Sequence, residues 1–278
     1  MNKKLSCLAV LVLLLIAPRS GFAQSDTPAG AAASEQTHRV LFLGNSYTYY
    51  NSMPRLFKAM VEARLPGHQV EAEFLGGGGA TLKVHWEVEL ALAEIRSGEW
   101  DYVVLQEQSM LGASDLTDPD SPNQFYEYAR RFDAEISKSG AETVFYMTWA
   151  GKDQKEQQPY LTHAYLAIAE ELGSRVAPVG MAWEGIRENP DIGLFIDGSH
   201  PSVVGSYMAA MTLAATIFEI APKDTPGELF GHEILRGGAI SEDEIRLSDL
   251  SDDEVQAVQA AVARSLEMLK TRTLKVSY

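Results

Sequence analysis

Cysteine is almost absent from the chain. The single cysteine among 278 residues, Cys7, lies at the start of an apolar run, whereas a lipoprotein cysteine would follow one. If the residues before Gln24 are removed, no cysteine remains, which excludes disulfides, cysteine-ligated zinc and a cysteine nucleophile. The protein must then be stabilised by its hydrophobic core.

Long apolar runs are scarce as well, and no segment after residues 5–17 looks like a membrane span. This first run follows two lysines, is too short to span a membrane comfortably, and precedes the small residues of Gly21-Phe22-Ala23. We therefore expect residues 1–23 to be a cleaved signal peptide and residues 24–38 to be a flexible leader. The protein would be exported, either to the periplasm or out of the cell. An uncleaved anchor is the alternative.

Basic residues are outnumbered, since 23 Lys and Arg against 38 Asp and Glu give a formal net charge of −15. Loss of the predicted signal peptide, which carries three basic residues and no acidic one, would bring this charge to −18. An acidic surface repels nucleic acid and anionic lipid. We therefore expect no nucleic-acid partner and no membrane binding after cleavage, and a neutral or cationic small molecule or glycan as the substrate.

The sequence also lacks the spacing of a metal site and the signature of a phosphate-binding loop. Four glycines at residues 76–79 are not followed by the Gly-Lys-Ser/Thr of a P-loop. Most of the histidines are scattered, at His38, His68, His163 and His232. No metal and no cofactor are therefore predicted.

From residue 39 onwards, short apolar runs alternate with stretches of helical periodicity. Five runs have the character of buried parallel strands, at residues 40–43, 69–75, 102–105, 143–148 and 176–179. This alternation predicts a three-layer α/β/α domain around a five-stranded parallel sheet with right-handed crossovers. A capping box at Ser251 predicts a long last helix, whereas residues 219–250 are expected to be irregular and surface-bound. We take residues 39–278 as one domain, whose helical extension begins near residue 219.

Two segments carry residues suited to acyl transfer. Gly44-Asn45-Ser46 follows the first predicted strand, where Gly44 permits a tight turn and Ser46 stands at the transition into a helix. Asp197 precedes His200 by three residues, so its carboxylate can accept a hydrogen bond from Nδ1–H and leave Nε2 free to take a serine proton. Either segment alone is equally consistent with an ordinary turn and helix N-cap.

Two further segments follow predicted strands and offer hydrogen-bond donors. The glycines at residues 76–79 would let backbone N–H groups approach a ligand, although a plain flexible connector is the alternative. The segment Gln106-Glu107-Gln108-Ser109 places side-chain amides at the end of the third strand, where an oxyanion could be stabilised. Glu107 is either a general acid or base, or surface charge. Trp86, at the start of the helix after the glycines, and Trp149, after the fourth strand, are candidate substrate contacts, although packing of Trp86 on the sheet is an equal alternative.

Together these segments resemble the sequence blocks of the SGNH (GDSL-like) hydrolases. Gly44-Asn45-Ser46 is similar to block I, which is usually Gly-Asp-Ser, and residues 197–201 match the Asp-x-x-His-Pro of block V. The glycines at 76–79 resemble block II, and residues 106–109 fall where block III is expected.

The resemblance covers residues 39–218, with two departures from the family pattern. Asn45 replaces the usual Asp of block I, and Gln108 replaces the usual Asn of block III. The Gly-x-Ser-x-Gly signature of the common α/β-hydrolases is absent around Ser46.

The resemblance implies a flavodoxin-like SGNH fold and a triad of Ser46, His200 and Asp197 that hydrolyses esters through an acyl-enzyme. An exported, acidic esterase with tryptophans near its pocket favours O-acetyl groups on a carbohydrate as the substrate, because aromatic rings pack on sugar faces. The alternatives are a lipase or thioesterase of the same superfamily, a non-catalytic glycan-binding protein on the same scaffold, and a nucleotide-binding flavodoxin-like module. The acyl group, the alcohol and the oligomeric state are not predicted.

An oxyanion hole is implied by the same resemblance. Its predicted donors are the backbone N–H groups of Ser46 and of Gly77 or Gly78, together with the side-chain amide of Gln108, for which Gln106 is the substitute. The other candidates at strand ends would contact the substrate: Asn45, Gln106, Trp86 and Trp149.

Overall fold

The structure is a computed structural model that describes residues 36–118, 120–121 and 124–276, the side chains of 272–276 excepted. The predicted signal peptide, residues 1–23, lies outside the described residues, as do residues 24–35 of the predicted leader. The last three leader residues, 36–38, belong instead to the first strand. Their polar side chains carry no apolar signal, but their backbones pair with residues 68–70 of the second strand.

A five-stranded sheet forms the centre of the described structure. Its strands are β1 (Gln36–Gly44), β2 (His68–Gly76), β3 (Tyr102–Leu105), β4 (Glu142–Tyr146) and β5 (Arg175–Ala177). Their order across the sheet is β2-β1-β3-β4-β5, and every adjacent pair is parallel. The predicted five-stranded parallel sheet is therefore confirmed.

The strand register brings three strand ends together at one edge of the sheet. Gly44 of β1 pairs with Gly76 of β2, and Leu43 of β1 pairs with Leu105 of β3. The segments that follow β1, β2 and β3 consequently start side by side. Open parallel sheets bind their ligands at this edge.

Helices cover both faces of the sheet. In chain order the described residues form α1 (Ser46–Tyr49), α2 (Met53–Arg64), α3 (Leu82–Val88), α4 (Leu90–Ser97), α5 (Leu111–Thr117), α6 (Gln124–Ser139), α7 (Gln158–Leu172), α8 (Val179–Ile186), α9 (Val203–Phe218) and α10 (Asp252–Val276). A 3-10 turn, Tyr50–Ser52, links α1 to α2, and a second, Lys155–Gln157, precedes α7. In these ranges, no helix combines the length and the apolar character that a membrane span requires.

The inner strand β1 is buried on both faces at residues 40–43. Val40 and Phe42 face one side, Leu41 and Leu43 face the other, and all four are fully buried. The first pair packs in an apolar cluster with α2, α8, α9 and α10, and the second pair packs with α3 to α7. Because successive side chains of a strand point to opposite faces, an unbroken apolar run needs a helix layer on each side. The predicted three-layer arrangement is confirmed.

The expectation that residues 219–250 are irregular is wrong. They contain an antiparallel hairpin of β6 (Glu228–Ile234) and β7 (Ile240–Asp249). Two irregularities interrupt its register and β7 contains an acidic run at residues 242–244, so no period-two apolar pattern marks either strand. The hairpin packs on α2, where Arg55 Nε donates to the carbonyl of His232 over 3.1 Å.

The last helix, α10, begins at the predicted capping box. The Glu254 carboxylate accepts hydrogen bonds from the Ser251 backbone N–H and hydroxyl, both at 2.8 Å. In return, the Glu254 N–H donates to Ser251 Oγ over 3.4 Å. Val258 and Val262 are fully buried, and α10 packs through them on α8 and α9. The predicted long helix and its cap are therefore confirmed.

Removal of this cap should lower stability. We expect Ser251→Ala to reduce the free energy of unfolding by about 1 kcal/mol, because the first turn of α10 loses both hydrogen bonds of the Ser251 hydroxyl. Ser251→Asn retains a capping oxygen and should lose much less. Urea denaturation followed by circular dichroism measures both variants, and equal losses would show that the cap does not stabilise α10.

Candidate active site

The turn after β1 depends on the missing side chain of Gly44. A Cβ at this position would lie 2.5 Å from Thr48 Oγ1 and 2.6 Å from Gln106 Oε1, closer than real Cβ contacts. The missing Cβ leaves room for the side chain of Gln106, which follows β3 and extends to the turn after β1. Its Oε1 accepts hydrogen bonds from the Asn45 N–H and from the Thr48 hydroxyl, both at 2.9 Å. These bonds fix the backbone that leads into Ser46.

Two residues predicted to contact the substrate are instead buried supports. Gln106 is fully buried, and its Nε2 donates to the carbonyl of Glu107 over 2.5 Å. Asn45 is 2% exposed and is the N-cap of α1, since its Oδ1 accepts the Tyr47 N–H over 3.1 Å. Asn45 Nδ2 donates to the Ala80 carbonyl over 2.9 Å. The predictions for Asn45 and Gln106 are wrong because both side chains are buried and their polar atoms are hydrogen-bonded to other groups of the protein.

Ser46, His200 and Asp197 lie in hydrogen-bond contact. Ser46 Oγ is 2.9 Å from His200 Nε2, and His200 Nδ1 is 2.7 Å from Asp197 Oδ2. Asp197 Oδ1 also accepts the backbone N–H groups of Ser199 (3.0 Å) and His200 (2.8 Å), which closes the loop around this carboxylate. Ser46, at the start of α1, is 8% exposed. The structure thus brings together the three residues predicted as the triad.

The electrostatics of this group favour an ionised Asp197 that orients the imidazole towards the serine. Hydrogen bonds from the backbone and ring of His200, and from the Ser199 N–H, lower the pKa of Asp197 to about 2. An ionised Asp197 holds the His200 proton on Nδ1 and leaves the Nε2 lone pair directed at the Ser46 hydroxyl. This is the arrangement of a nucleophile, a general base and an orienting carboxylate.

Aromatic rings fix the position of His200. Tyr50 stacks on the imidazole with ring centroids 4.5 Å apart, and Tyr47 meets it edge-on at 5.8 Å. The Tyr47 hydroxyl and Ser199 Oγ share a hydrogen bond of 2.7 Å, one residue before His200. The base is therefore held from two sides as well as by Asp197.

Trp149, a predicted substrate contact, is fully buried. It is stacked between Tyr47 and Trp183, with centroid distances of 4.5 Å and 3.9 Å. Its Nε1 donates to the Ser199 carbonyl over 3.0 Å. The prediction is wrong because the indole supports the loop that carries His200 and does not reach the surface. We call Tyr47, Trp149 and Trp183 the aromatic column.

Trp86, the other tryptophan predicted to contact the substrate, packs on α6. Its ring meets Phe132 edge-on at 5.3 Å, and the Arg131 guanidinium lies 5.6 Å from its centroid. A substrate contact of Trp86 stays a prediction, since the ring is only partly buried. Neighbouring helix positions point about 100° apart, and the preceding residue is the one that faces the turn before Ser46. That residue, His85, is buried and donates from Nε2 to the Gly44 carbonyl over 2.9 Å. Burial lowers the pKa of His85, which favours this neutral form.

Two successive residues with positive φ place Tyr50 over the imidazole. Asn51 and Ser52, both with φ of 51°, lie in the left-handed region that residues other than glycine seldom adopt. Asn51 Nδ2 donates to the Pro201 carbonyl (3.0 Å) and to Ser206 Oγ (2.9 Å). The Ser206 hydroxyl donates in turn to the Tyr50 carbonyl over 3.2 Å. Strain of this kind persists where the surrounding contacts over-determine it.

The predicted oxyanion donors lie on the segments after β2 and β3. Gly77 and Gly78 are exposed, and a Cβ on Gly78 would be 3.8 Å from Tyr49 Oη. Gln108 Nε2 donates to Ser109 Oγ over 2.6 Å, so this amide must leave Ser109 to reach an oxyanion. The roles of Gly77, Gly78 and Gln108, and of the Ser46 N–H beside them, stay predictions.

Sequence reasoning missed the tyrosines that surround the base. Tyr47 is buried, whereas Tyr49 and Tyr50 are partly exposed with ring centroids 5.5 Å apart. Tyr49 also lies 5.8 Å from Phe74 of β2, so an aromatic strip extends from His200 towards the glycine segment. The signal that could have located them is the run of three tyrosines in the four residues after Ser46.

Histidines away from the site form one close pair. His38 Nε2 and His68 Nδ1 lie 2.8 Å apart near the starts of β1 and β2. Across the described residues, no group of three or more His, Cys, Asp or Glu side chains is placed to hold a metal ion. No described residue is therefore assigned to a metal.

No family model matches the sequence, and neither does any curated protein. Several solved structures do match. A protein of Slackia heliotrinireducens, provisionally assigned as an SGNH hydrolase, has 26% identity and a TM-score of 0.54, over 66% of this chain and 100% of that chain. TesA has 17% identity and a TM-score of 0.51, over 66% of this chain and 99% of that one. A lipase/acylhydrolase from Enterococcus faecalis has 17% identity and a TM-score of 0.50, with coverages of 65% and 95%.

The layers, the strand order and these neighbours define an α/β protein with the SGNH hydrolase fold. The resemblance to SGNH hydrolases that the motifs indicate is thereby confirmed. Those of the neighbours that are named by activity are hydrolases.

The left-handed turn predicts a difference between two substitutions of Asn51. Asn51→Ala and Asn51→Gly both remove the hydrogen bonds to Pro201 and Ser206, but only glycine adopts positive φ freely. We expect Asn51→Ala to be less stable than Asn51→Gly by about 1 kcal/mol, measured by urea denaturation. Equal stability of the two variants would show that this backbone conformation is not strained.

Proposed function

We propose that the protein is a serine esterase, which hydrolyses a carboxylic ester through a covalent acyl-enzyme on Ser46. The observation that carries the proposal is the hydrogen-bonded path from Ser46 Oγ through the His200 ring to Asp197, with distances of 2.9 Å and 2.7 Å. It lies at the edge of the sheet where parallel strands end and ligands bind. The neighbour with 26% identity, provisionally assigned as an SGNH hydrolase, supports the same class.

In the proposed mechanism His200 acts first as a base and then as an acid. Its Nε2 removes the proton from Ser46 Oγ as this oxygen attacks the ester carbonyl carbon, and Asp197 stabilises the imidazolium. When the tetrahedral intermediate collapses, Nε2 returns the proton to the departing alcohol, and the acyl group stays on Ser46. Water, deprotonated by His200 in the same way, then releases the carboxylic acid and restores the serine.

The negative oxygen of each tetrahedral intermediate needs preorganised hydrogen-bond donors. We assign this role to the backbone N–H of Ser46, to that of Gly77 or Gly78, and to the Gln108 amide once it turns from Ser109. Loss of one such donor typically raises the barrier by roughly 3 kcal/mol.

We further propose that the protein is exported and that its substrate is an acetylated carbohydrate. Export rests on the signal-peptide pattern of residues 1–23. The rings available to a sugar are the partly exposed Tyr49 and Tyr50, since Trp149 is buried. A formal charge of −15 favours an uncharged glycan over an anionic substrate.

Ser46→Ala should abolish turnover of p-nitrophenyl acetate, by roughly 10⁴-fold or more, because no nucleophile remains. Ser199→Ala is the matched control and should be far less impaired, since it removes a neighbouring hydroxyl whose hydrogen-bond partner in the described part of the chain is Tyr47. Circular dichroism checks that both variants are folded. Undiminished turnover in folded Ser46→Ala would end the assignment.

Asp197→Asn tests the orienting carboxylate. The amide does not hold the proton on Nδ1 of His200, so kcat should fall by about 10³- to 10⁴-fold with little change in KM.

The same variant tests the lowered pKa of Asp197. Because that pKa falls from 3.8 to about 2 on folding, its hydrogen bonds contribute stability above about pH 4 that is lost as the pH falls towards 2. The unfolding free energies of wild type and Asp197→Asn should therefore converge on acidification. A difference that stays constant down to pH 2 would contradict this.

A further inference from the structure

Glu107 is a buried carboxyl group at the site that the proposed mechanism leaves without a role. It follows Gln106 at the end of β3 and is 1% exposed. Its Oε1 accepts the backbone N–H of Gln108 at 2.6 Å and that of Leu82 at 3.3 Å, and its Oε2 lies 3.4 Å from the same Leu82 nitrogen. Leu82 is the first residue of α3 and follows the glycine segment. One carboxylate thus ties the segment after β3 to the segment after β2.

The surroundings of Glu107 supply no positive charge. Among the described residues, no Lys, Arg or His pairs with it, and the titratable groups that face it are Asp115 of α5 and Tyr165 of α7. Tyr165 Oη accepts the Glu107 backbone N–H over 3.3 Å. His85, the buried titratable residue of α3, is turned to the Gly44 carbonyl.

This environment makes the ionised form of Glu107 costly. Burial raises its pKa to about 7, the hydrogen bonds from Gln108 and Leu82 oppose that rise, and Asp115 adds to it. A buried carboxylate without a cation is unfavourable, and an apolar residue of similar volume would avoid the cost. Groups held in this way cluster at functional sites.

The two segments that Glu107 joins carry the predicted oxyanion donors other than the Ser46 N–H. Gln108 leads into Ser109, whose carbonyl accepts the Thr148 hydroxyl over 2.8 Å. The glycine segment ends at Ala80, whose carbonyl is bonded to the Asn45 side chain at 2.9 Å. A shift of either segment therefore displaces the predicted donors relative to the serine.

We propose that Glu107 is a positioning residue, whose carboxylate holds the glycine segment and Gln108 in the geometry that stabilises the oxyanion. The proposal rests on the proposed esterase function, because it assigns Glu107 to that reaction. Two backbone donors need two acceptor lone pairs, and an ionised carboxylate supplies them. Protonation or replacement by glutamine weakens both bonds, since charge-assisted hydrogen bonds are roughly twice as strong as neutral ones.

Glu107→Gln tests the positioning role with p-nitrophenyl acetate as the substrate. We expect kcat to fall about 10- to 100-fold with KM little changed, because the oxyanion donors are misplaced but not removed. Asp115→Asn is the matched control, since it removes the negative charge that faces Glu107 and none of the hydrogen bonds of that carboxylate. It should keep the wild-type kcat. An unchanged kcat in folded Glu107→Gln would overturn the proposal.

The acid limb of the kcat profile is a readout that a purely structural role would not move. In the wild type, protonation of Glu107 should lower kcat about 10- to 100-fold as the pH falls through about 7, in addition to the loss of the unprotonated base, so log kcat should fall there more steeply than about one per pH unit. In Glu107→Gln only the base remains, and the slope should not exceed about 1. Equal slopes in the two proteins would overturn the proposal.

If Glu107→Gln does not fold, amide hydrogen exchange on the wild-type protein tests the positioning role of Glu107 instead. Corrected for intrinsic rates, the Leu82 and Gln108 amides should be better protected above pH 7 than below it. The contribution of Glu107 to the free energy of unfolding should change in the opposite direction. Because the pKa of Glu107 is raised from 4.5 to about 7, its neutral form stabilises the fold below pH 4.5, and this contribution is lost as the pH rises through 7. Protection that follows global stability would overturn the proposal.

Failure of this inference and failure of the proposed function give different results. If folded Glu107→Gln keeps the wild-type kcat and slope while Ser46→Ala is inactive, the positioning role is overturned and the esterase stands. If the wild type turns over no ester, both proposals are overturned together.

Discussion

The hydrogen bond between Ser46 Oγ and His200 Nε2 is the interaction on which the proposed chemistry depends. It joins two residues 154 positions apart in the sequence over 2.9 Å. Ser46 is placed by the turn after β1, and His200 by the loop before α9, so neither is positioned by the other. The parallel sheet supplies the common frame, because its strand ends meet at one edge and its buried faces fix the helices around it.

Buried polar groups and rings hold both partners of that bond. At the turn before Ser46, the side chain of Gln106 occupies the space that a side chain on Gly44 would fill. Around His200, the stack of Tyr50 and the aromatic column restrict the ring and its loop. The hairpin takes part as well, since the Ile234 N–H donates to Ser52 Oγ over 2.9 Å and so supports the turn that carries Tyr50. A group preorganised in this way needs little rearrangement when a substrate reacts.

Local signals predict the frame of this site, and long-range contacts decide its details. The strands are apolar runs because both faces of the sheet are buried, and the strand-end rule places Ser46 at the ligand-binding edge. The meeting of Ser46 with His200 is implied by the resemblance to the SGNH sequence blocks, because His200 does not directly follow a predicted strand. The hairpin escapes prediction because register irregularities and an acidic run remove its alternation. Gln106 and Trp149 are wrongly assigned to substrate binding, because a polar or aromatic residue type does not show whether the side chain is buried and hydrogen-bonded inside the protein. The position of Tyr50 over the His200 ring depends on the positive φ angles of Asn51 and Ser52, which no sequence pattern indicates.

Covalent labelling of the serine is the most direct test of the central claim. A fluorophosphonate reacts readily with a serine hydroxyl when a neighbouring base activates it. We expect one adduct in the wild type, mapped to Ser46 by peptide mass spectrometry, and its loss in folded His200→Ala. A wild-type protein that takes up no label, or a Ser46 adduct that survives undiminished without His200, would contradict the proposed nucleophile and base.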